Sequence, residues 1–219
     1  MRVLFALLFA LTAFANAERC YFMPPSGWEI AHLKNPSPYV KIGFIGKGST
    51  EFRPVINLAT EEVDVPLKEY VKAVKEVHLE DPGMKWRDLG KFVMQGGTGR
   101  LIEITNSSPW GELKILQAIL IQGDTAYILT ASVLKEDFLT LQEDIVNSFK
   151  SLNTIPELWT PISDAAKREE FKELLASLGK SEEKNEEWEI FQGQVGSLAQ
   201  LGPYWQFLAL NEGHRRIFE

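Results

Sequence analysis

Two periodicities divide the chain. From residue 28 to 131 the apolar positions read mainly as short strands, several of them alternating with polar residues as on a half-buried strand, around one helix. From residue 153 they recur every three or four residues, as on an amphipathic helix. In the first part, residues 28–32 read as a short strand after the turn cluster Pro24-Pro25-Ser26-Gly27. After the turn Asn35-Pro36-Ser37-Pro38, residues 39–45 form the next strand, with Val40, Ile42 and Phe44 alternating against Lys41 and Gly43. Residues 53–59 alternate less regularly, but Val55, Ile56 and Leu58 favour a strand.

A helix is predicted from Pro66, whose missing N–H suits a first helical position. Leu67, Tyr70, Val71, Val74 and Val77 make its apolar stripe, and Lys68, Glu69, Lys72, Lys75 and Glu76 its polar face. Asp81-Pro82-Gly83 ends it. An antiparallel meander follows, with strands at 86–94, 100–105, 113–121 and 126–131. Its connections are Gln95-Gly96-Gly97-Thr98-Gly99, Asn106-Ser107-Ser108-Pro109 and the hairpin signal Gly123-Asp124. Phe138, Leu141, Ile145 and Phe149 then mark a second helix, with Leu152 beyond it.

From Asn153 no strand signal returns, and Ile155-Pro156 and Thr160-Pro161 frame a linker. One tail helix carries Phe171, Leu174, Leu175 and Leu178 and stops at Gly179. Another carries Trp188, Phe191, Val195 and Leu198. Gly202-Pro203 interrupts, and a last short helix with Tyr204, Phe207 and Leu208 is expected to end at Gly213. Each stripe needs a partner surface.

The first residues are a separate pattern. Arg2 precedes an apolar run over residues 3–14 broken only by Thr12, and Ala15-Asn16-Ala17 supplies the small-x-small signal of a leader peptidase. The run falls short of the roughly 20 residues that span a bilayer. Cleavage after Ala17 is expected, with Ala15 and Ala17 as the residues read. The organisation predicted is a leader at 1–17, an α/β domain at 18–152 and a helical extension at 153–219. No later segment is apolar enough for a transmembrane anchor, so the mature protein is expected to be exported, periplasmic or secreted.

Charge narrows the partners. The formal net charge of −7, made more negative by loss of Arg2, argues against nucleic acid, whose phosphates need a basic face. The 45% hydrophobic content supplies a substantial core. The one cysteine, Cys20, cannot form an internal disulfide. Lipid attachment wants a small residue before the cysteine and finds Arg19, so Cys20 is expected as a partly buried thiol opening the first strand.

The chain shows no catalytic constellation. Residues 95–100 lack the lysine and hydroxyl of a phosphate loop and run on into a strand, so they read as a hairpin. His32, His78 and His214 form no metal array, no serine sits in a nucleophile elbow, and the carboxylate pairs at 61–62, 80–81 and 182–183 read as solvated charge. Asn106-Ser107-Ser108 is a glycosylation acceptor that matters only in a eukaryotic host. No cofactor, metal or catalytic residue is expected. Trp110, Trp188 and Trp205 are the candidates for a partner surface, although aromatics at helical spacing more often pack inward.

The element order is similar to that of the PsbP-like family. The resemblance rests on Pro25-Ser26-Gly27-Trp28-Glu29, Arg53-Pro54-Val55-Ile56-Asn57 and Leu67-Lys68-Glu69-Tyr70. Residues 123–132, GDTAYILTAS, and Ile145-Val146-Asn147-Ser148-Phe149 complete it. It covers residues 20–152 and leaves the tail unmatched. That fold is shared with bacterial DcrB-type lipoproteins and a Ran-GTPase-binding nuclear protein. The resemblance implies an α+β chain, an α/β/α sandwich around an antiparallel sheet, and a non-enzymatic binding or assembly role, but supplies no partner. The expectation is an exported binding protein of the bacterial envelope with a protein partner. A photosynthetic lumenal accessory protein and a secreted hydrolase with a spatially assembled site are the alternatives.

Overall fold

The computed structural model describes residues 19–32 and 37–219; the leader, with Ala15 and Ala17, lies outside them. Nine strands are described: β1 (Arg19–Tyr21), β2 (Glu29–Ile30), β3 (Val40–Ile45), β4 (Val55–Glu62), β5 (Lys85–Met94), β6 (Gly97–Ser108), β7 (Gly111–Gln122), β8 (Thr125–Leu134) and β9 (Asn153–Ile155). The helices are α1 (Leu67–Leu79), α2 (Lys135–Lys150), α3 (Ala165–Ser177), α4 (Lys184–Ser197) and α5 (Gly202–Phe218). β2 to β8 form one antiparallel sheet in the order β2-β3-β4-β8-β7-β6-β5. This is the expected α+β sandwich with a helical C-terminal region.

Strand alternation sorts side chains to the two faces. Ile102, Ile104, Ile119, Ala126 and Ile128 point to one face, where Tyr70 and Val71 of α1 cover them. Ile42, Phe44, Ile56, Leu58, Leu116, Ala118, Tyr127 and Leu129 point to the other. There they meet Phe138, Ile145 and Phe149 of α2 and, in one continuous core, residues of α3, α4 and α5. Tyr204 of α5 packs on Phe22 and Phe44, with ring centroids at 5.4 and 6.4 Å. The tail is therefore docked on the sheet. Its own centre is Phe171, Phe191 and Trp205, with Phe171 at 5.9 and 5.3 Å from the other two rings.

Several sequence expectations need correction. A strand does follow residue 152: β9 pairs antiparallel with β1, through Arg19↔Ile155, Cys20↔Thr154 and Tyr21↔Asn153. Three residues are too few to show a period. Pro66 is the residue before α1 rather than its first, and its carbonyl accepts from Glu69 and Tyr70 N–H. Val77 of the apolar stripe is 65% exposed, on the rim of an open pocket that it shares with Tyr39, Gln117 and Ile128. β6 runs through Ser107 and Ser108, which pair with Glu112 and Gly111.

Gly213 does not end the last helix. α5 continues to Phe218, and Gly213 is a notch against which the Phe191 ring lies. The hairpin at residues 95–100 is confirmed by the Met94↔Gly97 pairing. Its Gln95 and Gly96 N–H groups donate to Lys150 and Leu152 at the end of α2.

Candidate functional site

A concavity of about 930 Å³ lies where the tail meets the sheet. β4 places Leu58, Thr60 and Glu62 on one face by strand alternation, so the lining grades from apolar to charged towards the strand end. Leu58 and Tyr127 form the floor, Tyr204 and Leu208 of α5 the wall, and Cys20 the back. Tyr39, Lys41, Glu62 and Thr125 stand on the rim. The cleft can hold an apolar group and orient it through the polar rim.

Cys20, expected as a partly buried thiol, lies in β1 and is only 6% exposed. Burial pushes its pKa well up, which keeps it a thiol rather than a nucleophilic thiolate. Burial likewise raises the Tyr204 phenol. An alkylating reagent is expected to leave Cys20 unmodified in the native protein for hours and label it within minutes in guanidinium. Equal rates in both states would contradict this burial.

Beneath α1 a smaller polar cluster interrupts the opposite apolar face. The Tyr70 hydroxyl donates to Glu61 Oε2 at 2.5 Å, and Gln117 Nε2 donates to Thr130 Oγ1 at 3.3 Å. His78 lies beside Gln117 and against Trp86, with ring centroids 5.6 Å apart. Burial lowers the His78 pKa, partly offset by the neighbouring Gln117 side chain. The unfolded chain then binds the proton more readily, so His78 favours folding above its unfolded pKa of about 6.5 and loses that contribution as pH falls through its lower folded value. His78→Gln is expected to flatten the fall in thermal midpoint between about pH 6.5 and 5. A parent-like slope would refute the assignment.

The tryptophan candidates separate. Trp110 is 57% exposed in the turn after β6 and sits 5.8 Å from the Phe52 ring. Trp188 is partly buried among Phe191, His214 and Phe218. Trp205 as a partner surface is corrected: it is fully buried, and its indole N–H donates to the Leu158 carbonyl at 2.8 Å. A helical stripe identifies the inward face without saying which member is deepest.

Among the described residues no group of three or more His, Cys, Asp or Glu could hold a metal ion. Nor is any described helix long and apolar enough to cross a membrane. Arg100, at the hairpin read against a phosphate loop, is tied to Asp88 at 2.7 Å.

No protein-family model matches the sequence, and no curated protein is significantly similar. Solved structures do match. LpqN, involved in cell envelope biogenesis of Mycobacterium tuberculosis, is 13% identical with a TM-score of 0.52, over 66% of this chain and 88% of that one. Cyanobacterial PsbP from Synechocystis is 13% identical with a TM-score of 0.45, over 68% and 99%. The Saccharomyces cerevisiae Ran-binding protein Mog1p is 19% identical with a TM-score of 0.39, over 59% and 85%. With a seven-stranded antiparallel sheet between α1 and α2, the chain shares its fold with LpqN.

Proposed function

We propose that this is an exported, soluble, non-enzymatic binding or assembly protein of a bacterial envelope, holding a protein partner in the cleft between α5 and the sheet. The observation that carries the binding half is the docked tail. Tyr204 and Leu208 wall a space whose floor is apolar and whose rim is polar. That is the distribution expected of a surface that seats another chain's side chains. Export rests on the leader pattern of Arg2, the apolar run and Ala15-Asn16-Ala17. LpqN contributes the fold alone; the leader supports the envelope assignment.

Produced in full in a Gram-negative bacterium, the protein is expected in the periplasmic fraction with Glu18 as its first residue. Uncleaved chain in the cytoplasm would contradict export. Leu208→Glu, at the partly exposed cleft wall, is expected to lower in-cell crosslinking to the partner about tenfold, the effect of a central apolar contact. Unchanged crosslinking would exclude the cleft.

A further inference from the structure

We infer that the outer edge of β5 receives an extended acidic segment of a protein partner, added to the sheet as a further strand. This site lies at the opposite end of the sheet order from the cleft strands β3, β4 and β8, and does not depend on the cleft reading.

Among the described residues β5, ten residues long, is the terminal strand of the sheet, and no described strand pairs with its outer edge. Leu89 and Val93 on it are 39% and 70% exposed. Such an edge is a ready template for another strand unless it is guarded. Its cations, Lys85, Arg87 and Lys91, are the residues expected of a guard. Two further features exceed that role.

A groove flanks the edge on each face of the sheet. On the α1 side, about 750 Å³ opens over Leu67, Val71 and Trp86. Lys68, Lys72 and Lys75 of α1 stand along it, facing Arg87 and Arg100. Asp88 is the only carboxylate in its lining, and Arg100 holds it at 2.7 Å. On the α2 side, about 450 Å³ opens over Leu89, Phe138 and Leu139, with Arg87, Lys114 and Lys135 around it. Leu139 there is 84% exposed; Glu103 in the same lining is held by Arg87 at 3.2 Å and Lys114 at 2.9 Å, and Lys135 pairs with Glu112 at 2.8 Å.

An added strand sends alternate side chains to opposite faces, so it would fill both grooves at once. Each offers an apolar floor beneath cations, in a chain whose net charge is −7. Charge selects the occupant. A second copy pairing through β5 would bring two rows of Lys85, Arg87 and Lys91 together, whereas an acidic strand is attracted. The bulge between Asp88 and Gly90 interrupts the ladder, leaving residues 85–88 as the pairing stretch, with Arg87 lining both grooves and Trp86 and Asp88 lining the α1-side one.

The test is fluorescence anisotropy of the mature protein with a labelled decapeptide alternating glutamate and valine. Saturable binding is expected, at least about tenfold tighter than for the lysine–valine counterpart and weakened by salt. Lys72→Glu with Lys75→Glu, both exposed positions on α1, is expected to weaken it about tenfold further at unchanged circular dichroism. N-methylation of alternate peptide amides is expected to abolish binding, because a strand without those donors cannot pair. Absent binding, equal binding of the lysine peptide, or insensitivity to N-methylation would overturn the proposal. So would binding to anionic phosphatidylglycerol vesicles with none to the peptide. None of these outcomes touches the cleft.

Discussion

Replacing Trp205 by alanine is expected to lower stability by about 3–5 kcal/mol, the range for emptying a large aromatic site. The Leu158 carbonyl also loses its donor, adding about 1–3 kcal/mol if water cannot reach it. For a chain of this size each kcal/mol moves the melting midpoint by roughly 2–4 °C, so a fall of about 10–20 °C is expected by calorimetry. Trp205→Phe keeps most of the ring contact with Phe171 and forfeits the hydrogen bond, so it should recover more than half of the loss. The effect is large because Trp205 joins the tail helices to the segment after β9, inside a core continuous with the sheet. A loss below about 1 kcal/mol for the alanine variant would mean that the tail is not part of that core.

The second expected effect is a reversal of sign between two glycines of the tail. Gly213→Val drives a branched side chain into the Phe191 ring, where even a methyl has no room. Overpacking of this kind costs about 1–3 kcal/mol, and more where α4 must shift from α5. Gly193, mid-helix in α4, has open space around it. Gly193→Ala should therefore stabilise by about 0.5–1 kcal/mol through helix propensity alone. Urea unfolding of both variants checks the pair. Two effects of the same sign would contradict the packing of α4 on α5.

These predictions concern features that the sequence conceals. The meander and the two sandwich helices were legible because alternation and helical spacing survive over eight or more residues. Leu67, Tyr70 and Val71 announced α1 in the same way that Phe138, Ile145 and Phe149 announced α2. The β1–β9 pairing was not legible, since it joins three-residue strands more than a hundred positions apart. The tail stripes showed that Phe171, Phe191 and Val195 must be covered, but not that Tyr204 would reach Phe22 and Phe44 across the sheet.

Both candidate surfaces follow the same rule. The gradation Leu58, Thr60, Glu62 could be read along β4, yet the wall opposite comes from α5. Lys68, Lys72 and Lys75 read as a solvated helix face; only the packing of α1 over β5 to β7 turns that face towards an open sheet edge. A charge row acquires meaning from what it overlooks.

The cleft is the centre of the functional account, and its direct test is a photocrosslinking residue placed at Thr60 in the full-length protein, irradiated in living cells. A control is placed at exposed Glu170 on α3. The account predicts one dominant protein adduct of defined mass from position 60, in the envelope fraction, lost when Leu208→Glu is added. Position 170 should give none. No adduct from position 60, or the same adducts from both positions, would contradict it.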